Sequence, residues 1–195
     1  MVLNVLAILG SPRKGGNSDT LVAEAIKGIK QKVPDAKVRI VRVSDLNIKP
    51  CNACGRCHTT GKCDITDRMQ DIYRLFSSSD IILVGSPIYF MGPPAQLKAM
   101  VDRSLGLWSK KMLMKIKNKR PNKRTGAIFL TAGDKNKKMF LGTLSILRSF
   151  LWTLDVKVLS EVLAGGMDAK GSVKKCPAIL AKARRLGNTL ALGPK

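Results

Sequence analysis

Four of the five cysteines lie in one short segment, CNACGRCHTTGKC, which spans residues 51–63 and is called the cysteine segment below. Their spacing is C-x2-C-x2-C-x5-C. Iron–sulfur clusters are usually held by four cysteine thiolates, and two-residue gaps let three sulfurs converge on one cluster. Gly55 and Gly61 give the segment the freedom to bring a fourth sulfur round. The spacing therefore favours a 4Fe–4S cluster bound by Cys51, Cys54, Cys57 and Cys63.

Other chemistries compete for the same cysteines. Structural zinc sites normally use two well-separated pairs of ligands, which fits three evenly spaced cysteines less well. A redox C-x-x-C pair is expected at the start of a helix and needs two thiols. Disulfide frameworks spread cysteines along a secreted chain, whereas these are clustered. Metal-free thiols or a disulfide stay open as the second interpretation and zinc as the third, and Cys176 is interpreted as a structural thiol.

A glycine-rich loop, GSPRKGGNS at residues 10–18, follows an apolar run and is called the phosphate loop below. Its glycines let the backbone approach a ligand, and the helix that follows offers free N–H groups to an anion. The spacing matches neither G-x-x-x-x-G-K-[ST] nor G-x-G-x-x-G, which disfavours ATP hydrolysis and a Rossmann NAD site. We expect a phosphate monoester here, held by Ser11, Arg13, Gly16, Asn17 and Ser18.

A second loop, SPIYFMG at residues 86–92, places two aromatic side chains and a methionine after another apolar run. Exposed apolar surface of this size costs hydration free energy unless a flat group covers it. A third loop, TAG at residues 131–133, follows a further apolar run. A phosphate site and an apolar slot one strand apart together predict an FMN site.

These loops require a particular set of elements to position them. Strand-like apolar runs alternate with segments of helical periodicity, and one predicted helix continues over Ala95–Leu105. The alternation predicts one α/β domain over residues 1–195 with a doubly wound, five-stranded parallel sheet. Ligands of such a sheet bind at the carboxyl ends of the strands, where all three loops fall. The predicted strands are Val2–Leu9, Val38–Val43, Ile81–Val84, Ala127–Leu130 and Val156–Leu163.

The bulk composition is ordinary except for its charge. Hydrophobic residues make up 45% of the 195 residues, but 35 Lys and Arg against 13 Asp and Glu give a net charge of +22. Such a field attracts polyanions and acidic proteins. Nucleic-acid binding is disfavoured because no recognition motif accompanies the charge. A basic insertion is predicted at about residues 106–124, either solvated or a docking patch for an acidic partner, with a short amphipathic membrane contact as a third, weaker alternative. No apolar run approaches the ~20 residues of a membrane helix, and a cytoplasmic location is expected.

Three motifs carry a resemblance to a known family. GSPRKGGNSDTL at residues 10–21, SPIYFMGPPAQLKAMVDR at 86–103 and TAGD at 131–134 resemble the flavodoxin-like NADPH-dependent FMN reductase family. The cysteine segment and DITDRM at 64–69 make the chain similar to the iron–sulfur flavoprotein branch of that family. The resemblance covers nearly the whole chain.

The resemblance implies FMN as cofactor, a flavodoxin-like sheet of order 2-1-3-4-5, and a homodimer or homotetramer. It gives the phosphate to Ser11, Arg13, Asn17 and Ser18. No catalytic side chain is required, because the flavin carries the redox chemistry. The remaining FMN-binding residues are expected to lie around the ring: Pro87, Ile88, Tyr89, Phe90 and Gly92 on one side, and Thr131, Ala132 and Gly133 on the other.

We expect one of three functions, of which two are redox functions and the third is a binding function. The first is electron transfer through FMN between a 4Fe–4S cluster or an acidic, ferredoxin-type donor and an acceptor. The alternative is an NAD(P)H-dependent FMN or quinone reductase without a functional cluster. A basic nucleic-acid-binding or interaction module ranks last.

Overall fold

Five parallel strands form one sheet in the order β2-β1-β3-β4-β5. The computed structural model describes residues 2–116 and 124–193. The strand order is that of a flavodoxin-like sheet, so the predicted fold is confirmed. The strands are β1 (Asn4–Leu9), β2 (Lys37–Arg42), β3 (Ile81–Pro87), β4 (Thr125–Thr131) and β5 (Lys157–Ala164). The helices are α1 (Asn17–Lys32), α2 (Arg56–Thr60), α3 (Met69–Ser78), α4 (Ala95–Asp102), α5 (Leu105–Met112), α6 (Leu141–Thr153) and α7 (Pro177–Ala191).

The sheet separates two apolar clusters. Helices α3, α4 and α6 contribute to the cluster on one face, and α1 and α7 to the cluster on the other. The central strands β1, β3 and β4 are buried almost throughout, which explains their continuous apolar sequences. Strand β2 lies at one edge, and its Ile40 is exposed.

Helix α1 is held in place by unusually close contact with α7. A Cβ added at Gly28 would lie 2.1 Å from the carbonyl oxygen of Arg184, and one added at Gly187 would lie 2.0 Å from that of Ala25. Both positions therefore require glycine, because any side chain would force the helices apart. Glu24 adds a salt bridge to Arg184 across the same contact. The packing fixes the direction of α1, whose N-terminus carries the phosphate loop.

Two features between α4 and β4 differ from the sequence-based expectation. The helix predicted over Ala95–Leu105 ends at Asp102, and a separate helix, α5, begins at Leu105. The helical periodicity of the apolar residues does not reveal a break of two residues, because the apolar spacing continues from α4 into α5. Part of the predicted basic insertion is thus helical and packs on the cysteine segment, where a Cβ at Gly106 would lie 3.1 Å from the Gly61 carbonyl oxygen. Residues 117–123 of the insertion lie outside the described residues.

The described helices differ in length and in hydrophobicity from membrane-spanning segments. Within residues 2–116 and 124–193, no helix combines the length and the hydrophobicity needed to cross a membrane. Helix α6, the most apolar of the long helices, has 13 residues and includes Arg148.

Candidate functional site

The carboxyl ends of β1, β3 and β4 surround one cavity of ≈ 110 Å³, called the phosphate cavity below. The structure brings together there all of the predicted FMN-binding residues except Phe90 and Gly92. This convergence follows from the parallel sheet, which places consecutive strand ends on the same edge. The lining residues that the sequence predicted are Ser11, Arg13, Gly16, Asn17, Ser18, Pro87, Ile88, Tyr89, Thr131, Ala132 and Gly133.

The phosphate loop is held by an ion pair between buried Asp19 and half-buried Arg42. Asp19, in the first turn of α1, accepts from the Gly15 backbone N–H at 2.9 Å and from Arg42 at 2.7 Å. Arg42 also donates to the Ser11 carbonyl at 2.9 Å. Gly15 has a φ of +67°, which favours glycine at this turn. Sequence reasoning did not find Asp19 or Arg42, because they lie on different elements and make contact only across the sheet edge.

Two of the predicted phosphate donors are already engaged within the protein. The Ser11 hydroxyl accepts from the Arg13 backbone N–H at 3.1 Å. The Asn17 side-chain amide donates to the carbonyls of Met167 and Ala169 and accepts from the Val173 N–H. Asn17 therefore offers an anion its backbone N–H, one of the N–H groups of the first helical turn that have no intrahelical acceptor.

A fourth loop, which the sequence analysis did not include, completes the phosphate cavity. Met167, Asp168 and Lys170 line it and follow the end of β5. Asn17 holds this loop through the bonds described above. The sequence could have indicated this loop by its position, because the carboxyl end of the fifth parallel strand lies on the same edge of the sheet as the ends of β1, β3 and β4. Lys170 and Arg13 give the cavity two cations.

The loop at residues 87–92, called the ring loop, ends in a tight turn. The Tyr89 and Gly92 backbones exchange two hydrogen bonds of 2.9 Å, and Ile88 donates to the Thr131 carbonyl. Phe90 and Met91 have φ values of +47° and +62°, a conformation that is costly for side chains. The Phe90 side chain is fully exposed, and neither Phe90 nor Gly92 lines the cavity with the other predicted residues.

All four clustered cysteines line a second cavity of ≈ 110 Å³, called the cysteine cavity. Each of them is free, as is Cys176. Cys51 and Cys54 are exposed, and Cys57 and Cys63 are half-buried. Within the described residues, no three His, Cys, Asp or Glu side chains stand in a metal-binding arrangement. The cavity thus has the number and type of sulfur donors that a 4Fe–4S cluster needs, while the four thiols are not converged.

The four thiols influence one another electrostatically. Burial raises the pKa of Cys57, and the negative charges of the Cys63, Cys51 and Cys54 thiolates raise it further. Repulsion of this kind between thiolates is relieved when a cation or a cationic cluster core binds them. The donor set therefore fits a positively charged ligand in its chemistry.

The buried guanidinium of Arg103 holds the cysteine segment to the rest of the fold. It donates to Cys63 Sγ at 3.0 Å and forms a salt bridge with Asp67 at 2.8 Å. Burial raises the pKa of Asp67, but hydrogen bonds from Arg103 and from the Lys49 and Met69 N–H groups lower it below its ordinary value. Burial raises the pKa of Tyr73, whose hydroxyl donates to the Arg103 carbonyl.

Helix α4 connects the two cavities. It begins at Ala95, three residues after the ring loop, and ends at Asp102, next to Arg103. At 1.5 Å per residue its eight residues extend about 12 Å. A larger apolar groove of ≈ 560 Å³ lies between α4, α5 and α6 and includes Cys51 in its lining. The length of α4 therefore separates the cysteine cavity from the ring loop, and Cys51 connects that cavity to an open groove.

The fold and the phosphate cavity define a flavodoxin-like protein with an anion site at the carboxyl edge of its sheet. The chain belongs to the NADPH-dependent FMN reductase family, whose model matches residues 3–169. Curated relatives at 31–38% identity are named iron–sulfur flavoproteins and support the assignment to that branch. The resemblance predicted from the three motifs is confirmed.

Individual relatives show how far the similarity extends. An iron–sulfur flavoprotein of Methanocaldococcus jannaschii is 38% identical over 102 residues, which are 52% of this chain and 52% of that protein. One of Methanosarcina thermophila is 34% identical over 134 residues, or 69% of this chain and 65% of the relative. The chain thus spans between half and two thirds of these relatives. An FMN-dependent NADH-azoreductase of Bacillus anthracis, solved in complex with FMN, has the same fold with a TM-score of 0.70 at 12% identity, over 96% of this chain and 99% of that one.

Proposed function

We propose that the chain is a flavin-dependent oxidoreductase that binds FMN at the phosphate cavity. The observation that carries this proposal is the convergence of the phosphate loop, the ring loop and residues 131–133 on one cavity. Membership of the FMN reductase family supports it independently. Bound FMN supplies the hydride and electron chemistry, and the protein binds and orients it.

The dimensions of the cavity indicate which part of FMN it would hold. Its volume of ≈ 110 Å³ is well below the roughly 300–1,000 Å³ of typical small-molecule sites. The start of α1, with Arg13 and Lys170, would hold the phosphate and the adjoining part of the ribityl chain. Asp168 offers an acceptor to ribityl hydroxyls. The ring would lie at the mouth, against Tyr89.

Two neighbouring cations provide a matched test of the phosphate site. Arg13 lines the cavity, whereas Lys14 lies outside it and pairs at 3.5 Å with Asp45 on the surface. A charge-assisted hydrogen bond contributes about 1.5–3 kcal/mol. Arg13→Gln should therefore weaken FMN binding, measured by fluorescence quenching or calorimetry, at least about ten-fold. Lys14→Gln should change it less than about two-fold, and equal losses would contradict the placement of the phosphate.

We further propose that Cys51, Cys54, Cys57 and Cys63 bind a 4Fe–4S cluster that exchanges electrons with FMN. Four free cysteines around one cavity, their spacing and the iron–sulfur flavoprotein relatives support the proposal. Protein purified without oxygen should contain about four iron and four acid-labile sulfide per chain, with charge-transfer absorption beyond that of flavin. Iron content that survives replacement of all four cysteines by serine would contradict it.

The basic surface supports an acidic electron-transfer protein, such as a ferredoxin, as partner. With a net charge of +22, the chain should accelerate encounter with an acidic protein at low ionic strength. Reduction of bound FMN by a reduced ferredoxin should slow several-fold between low and physiological salt. Rates that do not respond to salt would contradict electrostatic docking.

A second candidate is an NAD(P)H-dependent FMN or quinone reductase without a functional cluster. The observation that favours it is that the four thiols do not stand in a metal-binding arrangement within the described residues. Anaerobic oxidation of NADPH or NADH with a quinone distinguishes the candidates. Turnover that is unchanged when the four cysteines are replaced by serine favours the reductase, whereas its loss favours the cluster-linked function.

We also propose that the chain forms a homodimer or a homotetramer. Phe90, Met91 and Leu141 are exposed apolar side chains at or near the ring loop, and Thr143 donates to the Met91 carbonyl. An apolar tip of this kind is commonly covered by a second subunit. Light scattering coupled to size exclusion should give two or four times the chain mass, and a monomer at micromolar concentration would contradict the proposal.

A further inference from the structure

Arg103 is the largest fully buried side chain in the described part of the protein. An arginine has five N–H donors in a rigid planar arrangement, and here each one has an acceptor. Its Nε donates to Cys63 Sγ at 3.0 Å. Its Nη1 donates to the Lys49 carbonyl at 2.9 Å and to Asp67 Oδ2 at 2.8 Å. Its Nη2 donates to the Ile65 carbonyl and to Asp67 Oδ1, both at 3.0 Å.

These acceptors lie on both sides of the cysteine segment. Lys49 precedes Cys51 by two residues, and Cys63, Ile65 and Asp67 stand at the other end. The Lys49 N–H also donates to Asp67 at 3.0 Å, which joins the two ends directly. One side chain from outside the segment therefore closes the loop that presents all four thiols.

The contacts inside the segment are weaker. Its short helix, α2, has five residues, and left-handed glycines flank it at Gly55 and Gly61. The ion pair between Arg56 and Asp64 is exposed on both sides and is therefore expected to contribute little. The bonds at the two ends of the segment are therefore more numerous and better buried than the ion pair within it.

We propose that Arg103 is the positioning residue of the cysteine site: it closes the segment at its base and holds Cys63 as the fixed sulfur, around which Cys51, Cys54 and Cys57 converge. The identity of the ligand rests on the proposed iron–sulfur function, whereas the closure does not. The N–H···S bond has a second consequence, because hydrogen bonds to ligating sulfurs help set the reduction potential of a cluster. A donor stabilises the more negative, reduced state, so the Arg103 bond to Cys63 would raise the potential of a bound cluster.

Arg103→Lys and Arg124→Lys form a matched pair of variants. Lysine keeps the charge but replaces the rigid fork with a point charge on a flexible stem. Arg124 is also buried and donates to the carbonyls of Phe76, Ser79 and Leu154, away from the cysteine segment. Both variants lose a buried guanidinium, so a general loss of stability is common to both.

The first measurement is hydrogen–deuterium exchange of the metal-free protein under reducing conditions. Exchange over residues 49–67 should accelerate at least ten-fold in Arg103→Lys and stay within two-fold of wild type in Arg124→Lys. Cys63→Ser, which leaves the other four guanidinium bonds in place, should also stay within two-fold. Unchanged exchange in Arg103→Lys, or equal acceleration in either comparison variant, would overturn the closure.

The second measurement uses protein reconstituted with iron and sulfide without oxygen. The cluster midpoint potential should become more negative in Arg103→Lys, while the FMN potential in the same sample and both potentials in Arg124→Lys stay at their wild-type values. A cluster potential unchanged in Arg103→Lys would overturn the sulfur contact. A wild-type protein that binds no iron would refute the iron–sulfur function, and the exchange result would still decide the closure. Should Arg103→Lys prove insoluble, Asp67→Asn takes its place, because it removes the salt bridge of Arg103. Exchange over residues 49–67 that stays within two-fold of wild type in Asp67→Asn would then overturn the closure.

Discussion

The phosphate cavity and the cysteine cavity are built in contrasting ways. Four loops from four strand ends surround the first, and the sheet fixes their relative positions through backbone pairing. Most of the second is one continuous segment, closed at its base by the side chain of Arg103. Backbone pairing therefore fixes the loops of the first, while the second is tied at its two ends and its four thiols are not converged within the described residues. A sheet edge suits a cofactor of constant shape, and a closed loop suits a ligand that four donors must surround.

The largest expected effect tests the closure of the cysteine segment. Asp67→Asn leaves the buried guanidinium of Arg103 without its counter-charge and should lower the free energy of unfolding by about 3–5 kcal/mol. The matched control is Arg56→Gln, which removes an exposed ion pair of the same segment and should leave the urea midpoint unchanged. Equal urea midpoints for Asp67→Asn and Arg56→Gln would show that the contacts at the base of the segment stabilise the protein no more than those in its interior.

The same ion pair should give the protein an acid-sensitive component of stability. The pKa of Asp67 lies below its ordinary value of 3.8, because hydrogen bonds from Arg103 and two backbone N–H groups outweigh the opposing effect of burial. The unfolded chain therefore takes up the proton first as the pH falls. The stabilisation is complete above about pH 3.8 and is lost progressively below it. Urea unfolding at pH 3 and pH 7 should differ less in Asp67→Asn than in wild type, and an equal difference would contradict this origin.

A smaller effect is expected at the phosphate cavity. Asn17→Ala removes the side-chain bonds to the fourth loop and leaves buried backbone groups unpaired, at a cost of about 1–3 kcal/mol. Because Asp168 and Lys170 then lose their support, FMN affinity should also fall. Chemical unfolding and FMN titration measure the two effects. A fall in affinity without any loss of stability would instead indicate that the Asn17 amide contacts FMN directly.

The smallest effect concerns the tip of the ring loop. Phe90 has a φ of +47° and a fully exposed side chain, and the left-handed conformation costs a non-glycine residue on the order of 1 kcal/mol. Phe90→Gly should therefore keep or slightly raise the melting temperature of a single subunit. A lower melting temperature that depends on protein concentration would show that a second subunit covers Phe90.

The sequence determined the chemistry of both sites and the class of fold. Alternating strand and helix patterns predicted the parallel sheet, and its strand ends gathered the residues of three loops. The strand limits differ by a few residues: β3 continues to Pro87 because Ile88 and the end of β4 pair beyond the apolar run. The cysteine spacing specified four sulfur donors. These features are local, since each depends on residue types within a few positions of one another.

Tertiary structure decided what each of these residues does. Asn17 binds a loop 150 residues away, and Arg103 reaches Cys63 across 40 residues. Phe90 is exposed at the tip of a predicted loop, but the sequence does not predict that two consecutive non-glycine residues, Phe90 and Met91, adopt left-handed backbone conformations there. Contacts of this kind depend on how elements pack against the sheet and leave no periodic trace in the sequence. The sequence thus supplied the donors of both sites, and the packing of the sheet and of α4 decided which of them stay free for a ligand.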